Sequence, residues 1–364
     1  MILNNQNICT YLLSSNLITL QSVVKGDLLI RNASSRNTIF LVNQFEIGGA
    51  KLLLKQPDIE DEDYVNDMKI EADIYTFIHT QKIAIKLRPF VAKMYQYDAQ
   101  QHILVLEQLS GVCRVHDYLY YGQHLPDKVM MKSIAKIVAS FHNIPIKKAE
   151  ELPNTFPWVF NATAPKYIKL IKKKDKHAYQ FLQPLYDDAQ VLDFMKSAKA
   201  MWQSSAFIHS DARFINFMMP YTHQPNQRSL FWAIDLEMAG KGDAAWDVGH
   251  FLGELLFYKT FLGSRPDVVL SKNKQYLAID DAIKFFLAAY LKLVKNDETF
   301  RKRIIKFTTV KLFLCIYEYV VDQPNSTLDS HLKELIALFY DMMQHQQAYQ
   351  TKMMPQWTTT QATI

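Results

Sequence analysis

The segment IHSDARFIN spaces His209, Asp211 and Asn216 as HxDxxxxN, and AIDLEMAGKGDAAWDVG follows a polar turn at 223–228. The second segment places Asp235 and Glu237 at the end of the apolar run 230–234. Phosphoryl transfer gives such a set a reason, because a hydroxyl nucleophile needs a carboxylate to orient it and take its proton, and Mg²⁺ needs oxygen ligands. Asp211 suits the first task; Asn216 and Asp235 suit the second. Glu237, two residues past Asp235 and on the same face of an extended chain, is a candidate contact to a second metal or its water. Arg213 would bring a fixed positive charge to the transferring group. Asp and Asn also favour strand ends as turns and caps, so the reading rests on the whole constellation.

Matching pieces occur earlier in the chain. On the strand 50–55, Leu53 and Lys55 share a face, with Lys51 at the same parity. The helix expected at 64–80 carries Met68, Ala72, Tyr75 and Ile78 on one stripe, with Glu71 on it. An ion pair between Glu71 and Lys55 would satisfy both and hold the ammonium against nucleotide phosphates. The turn NASSRN, residues 32–37, offers backbone N–H groups around Ser34 and Ser35 for phosphates. It has no Gly and is neither a GxGxxG nor a Walker A loop; a plain hairpin turn is its other reading. Asp243 and Asp247 are expected to cap and brace the helix after them, and His142 to pack or cap.

These residues need a scaffold that brings them together. Strands are expected at 28–31, 38–44, 50–55 and 102–106, with the region 20–57 read as strands. From about residue 110 the pattern turns helical, with Asp127 capping a helix whose Ile134, Ile137, Val138 and Phe141 recur at helical spacing. The fold class expected is α+β, with a small antiparallel-sheet lobe (1–109) and a larger, mainly helical lobe (110–364) joined by a short hinge. No repeat of 20–50 residues is visible.

Composition narrows the function classes. With 364 residues, 49% of them apolar or aromatic, the chain can bury one or two sizeable cores. A net charge of +5 is too small a bias for a nucleic-acid arm or an acidic tail. Three scattered cysteines, Cys9, Cys113 and Cys315, fit neither a metal site nor a complete disulfide framework and suggest a reducing compartment. The N-terminal residues lack the charged and apolar regions of a signal peptide, and no apolar run approaches the ~20 residues of a membrane span, so a cytoplasmic location is expected. The basic run Lys172, Lys173, Lys174 and Lys176 reads as a solvated face or an attraction for anions, and 58–63 as a solvated acidic loop.

Taken together, IHSDARFIN, AIDLEMAGKGDAAWDVG, LLLKQP and EADIY resemble the aminoglycoside phosphotransferase and choline kinase superfamily of protein-kinase-like enzymes, over residues 20–260. LLLKQP and IDLE are locally similar to methylthioribose kinases. The resemblance implies a bilobal kinase fold using ATP and Mg²⁺. Asp211 would be the catalytic carboxylate, Asn216 and Asp235 metal ligands with Glu237 as helper, and Lys55 and Glu71 the nucleotide-holding pair. Glu107 and Leu109 would fall where hinge backbone holds adenine. Departures are HSD where HGD is usual, Arg213 where His is frequent, and a nucleotide loop without Gly. The implied acceptor is a small-molecule hydroxyl; the alternatives are Ser or Thr of a peptide, or a non-catalytic nucleotide-binding pseudokinase. The basic stretch 146–200 weighs against polycationic aminoglycosides. Aromatic Tyr317, Tyr319, Phe339 and Tyr340 are expected to pack the helical part, with a share in the acceptor wall.

Overall fold

The computed structural model describes residues 1–33, 37–45, 49, 51–225, 227, 229–264, 272–322 and 329–354. Ser34 and Ser35 lie outside these residues.

Two helices, α1 (Ile8–Ser14) and α2 (Leu20–Val24), precede the sheet. This corrects the expectation of strands from residue 20, since the Thr19 hydroxyl accepts the Ser22 backbone N–H and caps α2. The sheet comprises β1 (Leu28–Asn32), β2 (Thr38–Gln44), β3 (Lys51–Gln56), β4 (Met94–Asp98) and β5 (Ile103–Glu107). Their order is β1-β2-β3-β5-β4, antiparallel throughout, with Lys55 opposite Ile39 and Leu104.

The period-two alternation of β3 divides two cores. Leu52 and Leu54 pack with Leu3, Ile8, Tyr11 and Leu12 of the N-terminal segment, whereas Leu53 and Lys55 turn towards α3 (Glu62–Thr80). Asp61 starts α3 by accepting the backbone N–H groups of Asp63 and Tyr64, so the acidic stretch is already helical before its expected end.

Beyond β5 come β6 (Val112–Arg114), α4 (Val115–Tyr120), α5 (Lys128–His142), α6 (Pro165–Lys174), α7 (Lys176–Asp187) and α8 (Ala189–Ala200). Asp127 caps α5 through the Val129 and Met130 N–H groups, as expected. Lys172, Lys173, Lys174 and Lys176 are exposed. Four short strands then frame two loops: β7 (Ala206–Ile208), β8 (Phe217–Pro220), β9 (Trp232–Ala233) and β10 (Gly240–Gly242). β8 pairs with β6 and β9, and β10 with β7.

Helices α9 (Ala244–Ser264), α10 (Lys272–Tyr290), α11 (Glu298–Asp322), α12 (Ser330–Gln344) and α13 (Gln346–Met353) follow. α9 and α11 approach closely because two positions on α9 lack side chains. A Cβ on Gly249 would stand 2.7 Å from the Thr308 nitrogen, and one on Gly253 would stand 2.4 Å from Lys311 Cγ. The result is the expected α+β architecture, an antiparallel sheet followed by a mainly helical region. Among the described residues, no helix is long and apolar enough to cross a membrane.

Candidate functional site

Lys55 is carried inward by β3 and meets Glu71 of α3, Nζ to Oε2, at 2.7 Å. It also lies 2.6 Å from Asp235 Oδ1 and 3.5 Å from Glu237 Oε2. Burial pulls an ammonium down, but Glu71, Asp235 and Glu237 outweigh it and hold Lys55 above its ordinary value. Burial pushes the Glu71 carboxyl up against the pull of Lys55. Asp235 is held below its ordinary value, because Lys55 outweighs the upward push of desolvation. Glu71 Oε1 also accepts the Leu236 N–H at 3.3 Å, tying α3 to the loop that carries Asp235.

That loop is not extended. Asp235 has φ +63°, a left-handed conformation, and the strand before it shrinks from the expected 230–234 to Trp232–Ala233. Glu237 therefore reaches the cluster through a turn rather than by the period of a strand, which corrects the premise on which it was chosen.

Asp211 sits between β7 and β8 in a loop tied down at several points. The Asn216 side-chain amide donates to Asp211 Oδ2 at 2.7 Å and to its backbone carbonyl at 2.9 Å. Arg213 Nη2 donates to Asp211 Oδ2 at 2.9 Å, with Nε 2.8 Å from Oδ1, and Arg213 Nη1 lies 3.6 Å from Glu318 Oε1. Burial pulls the guanidinium down, yet Asp211 and Glu318 raise it. The two loops are joined: the Ile234 N–H donates to the Asn216 carbonyl at 3.0 Å, and His209 Nε2–H donates to the Ile234 carbonyl at 3.0 Å.

Asp243 and Asp247 divide the expected capping between them. Asp243 caps α9 through the Ala245 N–H and pairs with Arg303 at 3.0 Å. Asp247 instead reaches back, accepting the N–H groups of His209 and Ser210 at 2.8 Å each and His142 Nε2–H at 3.0 Å. His142, whose other ring nitrogen contacts the Tyr290 hydroxyl at 2.7 Å, is thus a bracing residue. Ser210 has φ +70°, which explains why this position suits Gly and what a side chain costs there.

The oxygen donors fit a hard cation. Glu71, Asp235 and Glu237 offer carboxylate oxygens within 4.8 Å of one another, with the Lys55 ammonium among them. Asn216 stands on the neighbouring loop. Glu107 closes β5, the strand paired with the one that carries Lys55, and Leu109 follows it: the Glu107 N–H donates to the Lys93 carbonyl at 2.7 Å, and Leu109 packs partly buried on the main core.

Beside Arg213 opens a cavity of about 270 Å³. Its walls combine the rings of His116, Tyr120, Phe257 and Tyr319 with Glu254, Cys315 and Glu318. Tyr319 joins this wall. Tyr317 packs on Trp158, Phe339 is buried against Phe313, and Tyr340 bonds Asp188. Glu254 and Glu318 carry no spacing signal of the kind that marks Asp211 and Asn216; an acid inside the apolar run 248–258 is the sequence mark of the first.

Solved structures share the fold. A Plasmodium vivax ethanolamine kinase aligns over 93% of this chain and 89% of its own, at 16% identity and TM-score 0.57. Choline kinase LicA from Streptococcus pneumoniae aligns over 91% and 99%, at 14% identity and TM-score 0.52. An aminoglycoside 2'-phosphotransferase-IIIa, solved with GDP, aligns over 94% and 100%, at 12% identity and TM-score 0.51. No curated protein matches the chain by sequence. The family model of choline/ethanolamine kinases matches residues 118–350, reaching well past the stretch whose motifs carried the resemblance. This chain belongs to the choline/ethanolamine kinase family, and it is a phosphotransferase with a hydroxyl acceptor.

Proposed function

We propose that the protein transfers the γ-phosphoryl group of ATP to the hydroxyl of a small amino alcohol, with Mg²⁺ as metal. The observation that carries the acceptor class is the cavity beside Arg213, the partner of Asp211, about 270 Å³ in volume, where aromatic rings and two carboxylates meet. That size suits a small molecule rather than a peptide segment. Rings and carboxylates together attract an ammonium.

In this reading the lobes are 1–109 and 110–364, and the nucleotide lies between them. Lys55, oriented by Glu71, binds phosphate oxygens, and the backbone at Glu107 and Leu109 receives the base. Asn216 and Asp235, assisted by Glu237, would hold Mg²⁺, which when bound offsets charge on the phosphates. Asp211 accepts a hydrogen bond from the acceptor hydroxyl and takes its proton as the oxygen attacks. Asn216 keeps the carboxylate aimed, and Arg213 supplies positive charge beside it.

The test is a coupled assay with ATP and Mg²⁺ over 2-aminoethanol, choline, neutral diols, aminoglycosides and a Ser/Thr peptide. Turnover confined to amino alcohols is expected. Turnover of the peptide or of a neutral diol alone would overturn the acceptor assignment.

A further inference from the structure

Behind the wall of the acceptor cavity lies a cation that the transfer step does not use. Lys311 lies on α11 with Cys315 and Glu318 one and two turns further on, all on one face. Its side chain is 0% exposed. Gly253 on α9 leaves the space its stem fills. Nζ lies 3.4 Å from Glu318 Oε2 and 3.8 Å from Glu254 Oε2. Burial alone would strip an ammonium of its proton; neighbouring acids, the Glu318 and Glu254 carboxylates among them, hold it above its ordinary value instead. The Cys315 thiol is itself pushed up to about 12 by burial, so it stays neutral and leaves the balance to the carboxylates.

Arg213, Glu254 and Glu318 line the cavity, Asp211 pairs with Arg213, and Lys311 pairs with the two glutamates from behind, which sets three carboxylates against two cations. One negative charge is left over. An unbalanced charge in a partly enclosed site favours an incoming group that offsets it.

Resting on the amino-alcohol reading above, we propose that Lys311 is a specificity-determining residue, a built-in counter-cation that limits the acceptor to one ammonium group. Glu254 and Glu318 would otherwise accept two. The pair of carboxylates is shared with the protein's own ammonium from behind, so an alcohol bearing two ammonium groups finds one of the two negative charges already offset by Lys311.

The experiment compares kcat/KM for 2-aminoethanol and for 1,3-diamino-2-propanol in the full-length protein. In the wild type the monoammonium alcohol is favoured. Lys311→Met should lower that preference at least tenfold, chiefly through the KM of the diamine, and Lys311→Arg should keep it. Glu318→Gln, at a partly exposed position, removes the leftover negative charge and should move the preference the opposite way, raising KM for the diamine more than for the monoamine. The inference is overturned if Lys311→Met changes the ratio less than twofold, or if Lys311→Met and Glu318→Gln shift it in the same direction. Should Lys311→Met fail to fold, Lys311→Gln, which keeps a polar group beside Glu254 and Glu318, is read by the same ratio and the same limits. Wild-type protein that phosphorylates neither alcohol would instead refute the acceptor class itself.

Discussion

Asp247, on the first turn of α9, holds the backbone N–H of Ser210 at 2.8 Å, so a helix after the second loop fixes the residue just before Asp211. Its other oxygen takes the His209 N–H and His142 Nε2–H. Asp247 is 0% exposed, and each bond to a buried carboxylate is charge-assisted. Asp247→Asn keeps the shape and loses the charge. A stability loss of about 2–4 kcal/mol is expected in urea titration, with turnover falling further than the residual folded fraction explains.

Ser210 gives a prediction of opposite sign. At φ +70° it occupies backbone that glycine adopts without cost, and its side chain recovers only a 3.2 Å contact with the Thr155 hydroxyl. Ser210→Gly should leave stability unchanged or raise it by up to about 1 kcal/mol. Ser210→Val, branched at the same φ, should lose about 2 kcal/mol or more. Thermal melts of the two variants check the contrast; a Gly variant less stable than the Val variant would refute it.

Asp211→Asn leaves Lys55, Asp235 and the fold in place. Nucleotide affinity should persist while transfer falls by about 10²–10⁴. Calorimetry paired with single-turnover assay separates the two; full activity in this variant would remove Asp211 from its role.

Asp235→Ala takes away both a candidate metal ligand and a 2.6 Å partner of Lys55. Nucleotide binding in the presence of Mg²⁺ should weaken at least tenfold, and the gain that Mg²⁺ gives the wild type should disappear. Titration with and without the metal reads this directly; an undiminished Mg²⁺ effect would sink it.

His250 carries the pH prediction. It is 2% exposed, and burial holds its imidazole well below 6.5, with Lys311 and Arg213 adding to the effect. Unfolded chain takes up a proton near pH 6.5, which the folded state refuses, so this contribution is complete above 6.5 and is lost as pH falls below it. The slope is about 1.4 kcal/mol per pH unit for one proton. Burial raises Glu254, which tilts the total the other way, so the informative quantity is the difference between wild type and His250→Asn. The variant's advantage should grow by about 1 kcal/mol between pH 6.5 and 5.5 in urea titrations; a constant difference would exclude the proposed origin.

Much of the site is legible in the chain because it is written in short spacings. Asp211 and Asn216 are five residues apart and meet across one loop, and Lys55 finds Glu71 through a strand parity and a helix stripe, both periodic signals. Asp247 shows where such reasoning stops: a carboxylate near a helix start reads as a cap, and only the close packing of α9 against β7 turns it towards His209 and Ser210. Glu254, Lys311 and Glu318 were harder, since two helices far apart in sequence must meet before their charges become neighbours. α1 escaped notice because its seven residues have no side-chain cap, and β4 because MYQYD is too polar at an edge to resemble a buried strand.

The ammonium of Lys55 amid Glu71, Asp235 and Glu237 has a bearing on handling as well as chemistry. Three acids crowded together would repel one another, and a protein relying on an ion to quiet them would come apart in a chelator. Here the chain sets a cation of its own among them, so treatment with EDTA should silence the enzyme while lowering its melting point little.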